Sequence, residues 1–393
     1  MHRYLLLVEW YRAYPAASSH AKWGKSSFKR NTTTGGYGGN GGYGGFSGSG
    51  TGGNGGNGSD GGGASGGAVF NGGGTLALTN STFTGDTAYG GPGGYGGPGG
   101  FSSSGTGGNG GNGGNGGGAS GGAVFNGGGT LTLTNSTFAF FTDGVGGYYP
   151  NQAIGGGGGR GQQGANTSTN SGGNGGNGGA GFGGAISNYG SLVIVNATIA
   201  ANYASGGQRG SSAPGVPPGV DGANGSAAGG GLDNSGSDLR VTNAILSANT
   251  GGTTGNCSST ITDGGHNLEF NPTNTCAFTI AVQHGNPNLD TLKDNGGPTQ
   301  TLALLSGSAA IDTADPNACA APPTSGKDQR GFLRRADRCS IGAFEADVAI
   351  PNPVPLPPRP DPTPAGVPNP IPAPSRSMPS NGGVPNPIPV PRR

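Results

Sequence analysis

The sequence predicts an all-β protein built as a right-handed parallel β-helix, a solenoid with glycine-rich insertions and a proline-rich C-terminal tail. Three observations predict it: one motif recurs four times at long intervals, apolar residues alternate within each copy, and glycine punctuates the copies. Fixed-pattern self-similarity is the signature of repeat architectures. The copies are residues 66–86 (GGAVFNGGGTLALTNSTFTGD), 121–143 (GGAVFNGGGTLTLTNSTFAFFTD), 183–202 (GGAISNYGSLVIVNATIAAN) and 229–249 (GGGLDNSGSDLRVTNAILSAN). Their equivalent leucines, Leu76, Leu131, Leu192 and Leu239, are 55, 61 and 47 residues apart. Each spacing reads as about two coils long, a regular coil alternating with a glycine-rich stretch.

Each copy has the internal order of a coil with three short strands. A Gly-Gly pair permits a sharp corner with positive φ. The next apolar residue (Val69, Val124, Ile186 or Leu232) points inward, and Asn71, Asn126, Asn188 or Asn234 follows at a second corner. Leu76 and Leu78, Leu131 and Leu133, Leu192 and Ile194, and Leu239 and Val241 then share one face with the period of a strand. Asn80, Asn135, Asn196 and Asn243 take the next inward slot, where stacked asparagines are expected to hydrogen-bond as a ladder. Three of them also open glycosylation sequons, at Asn80-Ser81-Thr82, Asn135-Ser136-Thr137 and Asn196-Ala197-Thr198. Because they recur in register with the coil, the ladder is the expected use.

Composition limits the alternatives. Of 393 residues 94 are Gly and 30 are Pro, and 9% are charged, which excludes an ordinary enzyme-sized globular core. Such a composition normally signals low complexity or disorder. Apolar clusters such as residues 75–83 (TLALTNSTF) argue against wholesale disorder, since they read as half-buried strands. The formal net charge of +1 is unevenly spread: residues 1–30 carry +5, residues 350–393 carry +3, and the body between them −7. An acidic body argues against nucleic-acid binding. No stretch reaches the ~20 apolar residues of a membrane span.

Cys257, Cys276, Cys319 and Cys339 form two separated pairs without a C-x-x-C, so metal-site spacing is absent and disulfides in an oxidising compartment are expected. Pairing neighbours would close two loops, each stabilising by about 3 kcal/mol in the chain-entropy model, although three connectivities are open.

Three regions follow. Residues 1–34 are a basic segment that reads as disordered or as an incomplete or misassigned export signal, since residues 4–8 (YLLLV) are too short for an apolar signal core. Residues 35–347 are the β-helix with its glycine-rich excursions. Stretches such as residues 107–118 (GGNGGNGGNGGG) read as flexible loops, like Gly/Ser linkers. The competing reading packs them as three-per-turn polyglycine strands on the flank, where only glycine permits close approach. Residues 348–393 carry Pro at every second or third position and read as an extended stalk or spacer.

The repeats resemble those of polymorphic outer-membrane protein passengers, which pair GGA plus an aliphatic with F-x-x-N: the first half is matched at residues 66–69, 122–124 and 183–186, the second more loosely at Phe83 to Asp86, Ile199 to Asn202 and Leu246 to Asn249. Residues 264–345 resemble the choice-of-anchor Q domain family. The motifs are GGHNLEF from Gly264, DNGGPTQTLALLSGSAAID from Asp294 to Asp312, DQRG from Asp328 and CSIGAFE from Cys339, with Ala309 and Ser340 departing from the pattern. That resemblance implies a pectin-lyase-like β-helix exported to the cell surface of a bacterium. This block is expected to seal the last coil, with Asp312, Asp328 and Arg330 in a buried network that covers strand edges and apolar stacking surface.

Chemistry is sparse. Pectin-lyase-like folds that act on polysaccharides use clustered carboxylates and a basic residue; here Asp233, Asp238 and Arg240 are the only such grouping in a coil, with Asp263 nearby, and convergence of the carboxylates within about 6 Å would favour an enzyme. His2, His20, His266 and His284 form no triad spacing, and His266 is expected to be structural. Residues 55–61 match the start of a calcium-binding nonapeptide but lack tandem copies with Asp. Thr75, Thr79, Thr82 and Thr84, with Thr130, Thr132, Thr134 and Thr137, raise ice binding, yet no regular Thr-x-Thr array is present. No catalytic residue, metal or cofactor is assigned. The expectation is a monomeric extracellular or cell-surface structural or adhesive module with a carbohydrate or cell-surface ligand, in which Tyr37, Tyr43, Tyr89 and Tyr95 sit on glycine-rich segments. The alternative is a polysaccharide lyase or glycoside hydrolase.

Overall fold

The structure is a computed structural model that describes residues 20–346 apart from 237, 253, 260, 272–274 and 282–284. The chain divides into two compact units, 1–348 and 349–393. The second unit, with the proline-rich tail, lies outside the described residues, as do His2 and His284.

Alternating apolar residues produce a solenoid of stacked parallel strands. A long sheet runs His20–Gly24, Thr75–Thr79, Thr130–Thr134, Ser191–Val195, Asp238–Thr242 and Thr262–Asp263. A second sheet of the same order runs Ser27–Lys29, Thr82–Thr84, Thr137–Ala139, Thr198–Ala200, Ile245–Ser247 and Leu268–Phe270. Thr32–Thr34, Thr87–Tyr89, Gln152–Ile154, Tyr203–Ser205 and Thr250–Gly251 form a further sheet, from whose first four strands the coils leave for glycine-rich excursions. Each coil returns through a short sheet beginning at Ala64–Ser65, then a corner sheet of Val69–Asn71, Val124–Asn126, Ile186–Asn188 and Leu232–Asn234. Register is set by side-chain direction, because a one-residue slip would turn every core residue outward. Accordingly Leu76 pairs with Leu131, Leu131 with Leu192 and Leu192 with Leu239. These, with Leu78, Leu133, Ile194 and Val241, are buried in the core, each burial stabilising by about 1.5–3 kcal/mol. Phe28, Phe83 and Phe138 stack at 4.5 Å, and Ile199 and Leu246 continue the row.

Four sequence expectations need correction. The first coil begins at His20, inside the segment assigned to a basic leader, because residues 20–34 pair strand by strand with residues 75–89. Each repeat is one coil plus one glycine-rich excursion, as the alternation implied, but the excursion is a hairpin and does not make up a second coil's length of solenoid. Asn80, Asn135, Asn196 and Asn243 do not stack: they are corner residues at φ of 53°, 46°, 52° and 53°, a left-handed conformation that asparagine tolerates. The ladders lie elsewhere. Asn71, Asn126, Asn188 and Asn234 pass Nδ2 to the next Oδ1 at 2.8, 2.7 and 2.8 Å. Asn151, Asn202, Asn249 and Asn256 do the same at 2.8, 2.8 and 2.9 Å, and Asp86 hands its amide to Asn151 Oδ1. Asn151 escapes an F-x-x-N reading because the Phe141–Thr142 and Tyr148–Tyr149 hairpin is inserted after Phe138.

The fourth correction concerns the glycine-rich excursions, which are ordered hairpins rather than flexible loops. Residues 35–63, 90–118, 155–180 and 206–226 each run out and back as two extended segments whose hydrogen bonds repeat every three residues. Gly35, Gly38, Gly41 and Gly44 donate to the carbonyls of Tyr89, Pro92, Tyr95 and Pro98, while Gly52, Gly55, Gly58 and Gly61 donate to Thr106, Asn109, Asn112 and Asn115. Gly91, Gly94 and Gly97 reach across to Gly62, Ser59 and Gly56. Three residues per turn is the period of polyproline II, which has no internal hydrogen bonds and must find partners outside itself. Glycine is required for contact here: a Cβ on Gly38 would overlap the carbonyl oxygen of Ser59, and one on Gly94 that of Gly39. Every third residue points outward. There Asn54, Asn57 and Asp60 accept the amides of Asn109, Asn112 and Asn115 at 2.9, 2.9 and 2.7 Å, and Asn112 and Asn115 accept those of Asn174 and Asn177.

Candidate functional site

The C-terminal block divides in two: its first residues, with Leu268–Phe270 paired to Ile245–Ser247 and Cys276 bonded to Cys257, continue and close the last coil, while residues 289–345 build a lateral strap. It contains an antiparallel hairpin, Leu289–Lys293 with Thr301–Leu304, and the only helix among the described residues, Pro316–Ala320, whose first turn is capped by Asp315. The strap crosses the second sheet over several coils, reading the residues that write the sequons. Gln329 Nε2 donates to Thr82 Oγ1 at 2.8 Å, Thr137 Oγ1 donates to Gln329 Oε1 at 2.7 Å, and Thr198 Oγ1 accepts the Ala343 amide at 3.0 Å. Asn135 donates to the Lys327 carbonyl and accepts from Arg334, Asn196 donates to Thr324, and Asn243 exchanges hydrogen bonds with the Asp315 backbone. The last coil is closed by the segment held through the Cys257–Cys276 disulfide, which takes in the start of that block, with Cys257 bridged to Leu232. Cys319–Cys339 closes the strap.

Of the proposed network, the structure brings Asp328 and Arg330 together in a buried ion pair at 2.8 Å. The guanidinium also lies over Phe344 at 3.6 Å and donates to the Glu345 carbonyl. Asp312 lies elsewhere, half-exposed and paired with Arg335 at 2.9 Å. Sequence reasoning missed the second buried pair, Arg334 with Glu345 at 3.3 Å. Burial pushes Glu345 above the ordinary carboxylate range, opposed by the Ser340 amide and Arg334.

The candidate catalytic carboxylates serve three separate hydrogen-bond sets. Asp233 is buried and accepts from Ser187 and Ser258 at 2.8 and 2.7 Å. Asp238 is exposed and accepts from Ser191. Burial opposes ionisation of Asp263, but the amides of Ile280, Gly265 and Thr279 and the Asn267 side chain outweigh it and hold its carboxyl below the usual range. Arg240 borders an open depression of about 370 Å³ against the strap helix. His266 Nδ1 meets the Thr313 carbonyl at 2.9 Å, tying the end segment to the strap. Among the described residues no three His, Cys, Asp or Glu side chains are grouped to hold a metal, and Asp60 of the calcium-loop match spends Oδ1 on the Asn115 amide. Thr82 and Thr137 lie beneath the strap, so they present no outer face.

Aromatic side chains are among those turned to solvent. Phe70, Phe125 and Tyr189 form a row along the corner sheet with ring centroids 5.3 and 5.5 Å apart; Phe70 is 62% and Tyr189 44% exposed. Tyr37 and Tyr43, at 82% and 86%, project from the outward positions of the first glycine hairpin and Tyr95 from the second, while Tyr89 ends the strand Thr87–Tyr89 that leads into it.

No protein-family model matches the chain, and no curated protein matches it. Among solved structures it is similar to a springtail antifreeze protein from Granisotoma rainieri, described as a bundle of nine polyproline type II helices, at 24% identity over 49% of this chain and 91% of that chain. The TM-score is 0.16, at which the likeness carries no argument. No helix among the described residues is long and apolar enough to cross a membrane.

Proposed function

We propose that this chain is a secreted or cell-surface structural and adhesive protein, monomeric, whose body is a right-handed parallel β-helix of the pectin-lyase-like kind related to choice-of-anchor Q domains. Right-handedness follows from the rule for parallel crossover connections, obeyed in roughly 98% of cases. Two disulfides suit an oxidising, extracellular compartment. The observation that carries the adhesive reading is the row of Phe70, Phe125 and Tyr189. A file of rings packed on one another offers a rigid apolar ridge at small entropic cost, against which the apolar faces of an extended carbohydrate chain can pack. The hydrolase or lyase reading is the weaker one, because Asp233 and Asp263 are spent on holding the fold.

The test is binding and turnover against plant and bacterial polysaccharides, with and without calcium, for the full chain and Phe125→Ala. Binding that weakens about tenfold in Phe125→Ala at unchanged melting temperature is the expected result. Release of unsaturated or reducing ends would make the protein an enzyme and sink the adhesive reading.

A further inference from the structure

The four glycine hairpins form a stack with two unlike edges. At the far edge, the outbound amides that would otherwise point at a fifth hairpin are capped from within: Arg209 N donates to Asn224 Oδ1 at 3.0 Å, Ser212 N to Asp221 Oδ1 at 2.8 Å, and Arg209 pairs with Asp221, while the return-limb amides of Asp221 and Asn224 have no partner among the described residues. In the third hairpin the equivalent amides, Gly158 and Gly161, reach the carbonyls of Gln208 and Ser211. The near edge, on the first hairpin, has no such caps. The amides of Gly36, Gly39 and Gly42, and of Asn54, Asn57 and Asp60, have no partner among the described residues, although their counterparts Gly91, Gly94, Gly97, Asn109, Asn112 and Asn115 are all paired.

The repeat itself says what covers such a surface. Gly91, Gly94 and Gly97 pack so tightly on the first hairpin that a Cβ would strike the carbonyls of Gly36, Gly39 and Gly42. On the first hairpin the same positions are glycine although a Cβ on Gly36 or Gly42 would meet nothing within 4 Å. This edge is therefore continuous with an interface that the molecule makes between its own hairpins. Its occupant, by the same pattern, is an extended chain with two glycines inward and an Asn or Asp every third residue to accept the Asn54, Asn57 and Asp60 amides. Neither residues 1–19, which lack glycine, nor residues 347–393 carry that period.

Charge selects the partner further. The edge strands His20–Gly24, Ser27–Lys29 and Thr32–Thr34 carry Lys22 and Lys29 and, between strands, Lys25 and Arg30, with no acidic residue from 20 to 34. Two copies meeting at this edge would bring these cations together, and the Asn54, Asn57 and Asp60 oxygens are already engaged by the second hairpin. We propose that the open edge of the first glycine hairpin docks a glycine-rich segment of another protein, extended at three residues per turn and bearing aspartate at every third position.

The experiment is calorimetric titration of the full chain with a synthetic Gly-Gly-Asp repeat peptide, using an Ala-Ala-Asp peptide of the same length and charge as control. The expected result is binding of the glycine peptide at least about tenfold tighter than the control, lost by about the same factor in Gly42→Val while the melting temperature stays unchanged. Equal binding of both peptides, no binding, or indifference to Gly42→Val would overturn the proposal. A concentration-dependent dimer in sedimentation that Gly42→Val disperses would also overturn it, since the occupant would then be a second copy. Polysaccharide binding is read separately at Phe125, so either reading can fail alone.

Discussion

Asp86 occupies a ladder slot that later coils fill with Asn151, Asn202 and Asn249, and the substitution has a cost. Its Oδ1 accepts both the amide and the Nδ2 of Asn31, while its Oδ2 is buried without a partner. Burial drives its pKa up to about 7, with the Asn31 hydrogen bonds opposing. A carboxyl with a raised folded pKa binds its proton more tightly in the native state. Stability is therefore lost as pH rises from about 4, the unfolded value, to about 7, by an amount on the order of 4 kcal/mol. Asp86→Asn supplies the Nδ2 that the slot expects. Urea melts of both forms should agree most closely near pH 4 and diverge in favour of the variant by pH 8. An unchanged difference between those pH values would refute the assignment. The asparagines also mark the limit of legibility at this scale: the recurrence of Asn80, Asn135, Asn196 and Asn243 is visible in the sequence, but whether a recurring polar residue stacks on its own kind or faces another segment depends on φ and on what lies alongside.

Among the elements, the glycine segments separate local from tertiary information most clearly. A Gly-Gly-Asn period is compatible with a flexible linker and with a packed three-per-turn strand, because an isolated segment of this kind has no internal hydrogen bond to reveal it. The solenoid decides the matter by holding both ends of each hairpin in register with the next. Gly97→Ala should destabilise by at least about 1–3 kcal/mol, since its Cβ meets the Gly42 carbonyl with no side chain to yield. Gly45→Ala, where a Cβ meets nothing within 4 Å, should melt like the parent. Thermal melts of the two variants compare the positions directly, and hydrogen exchange should find residues 107–118 protected, which equal exchange with free peptide would contradict.

For the whole molecule, the strap is the long-range device. It joins residues far apart in sequence through Gln329, Arg334 and the Asn and Thr rows. Arg334 also holds the carbonyls of Ser340 and Gly342, so Arg334→Met should leave these carbonyls and the buried Glu345 without their cationic partner, at a cost of about 3–5 kcal/mol. Chemical denaturation measures it, and a loss under 1 kcal/mol would mean the strap contributes little. Reduction should lower the melting temperature by opening loops of 19 and 20 residues, each stabilising by about 3 kcal/mol.

The sequence by itself determined the parallel-stranded solenoid, its core leucines and the Gly-Gly corners, because these follow from alternation and backbone freedom within a few residues. Gly66, Gly121, Gly183 and Gly229 do take positive φ. Only the tertiary structure decided which asparagines stack, that the glycine stretches are ordered, that Asp312 sits apart from Asp328 and Arg330, and that residues 289–345 of the C-terminal block lie along the side of the coils. The physical reason is common to all four: each depends on which surface packs against which other, and a repeat shows that positions are equivalent without showing what faces them.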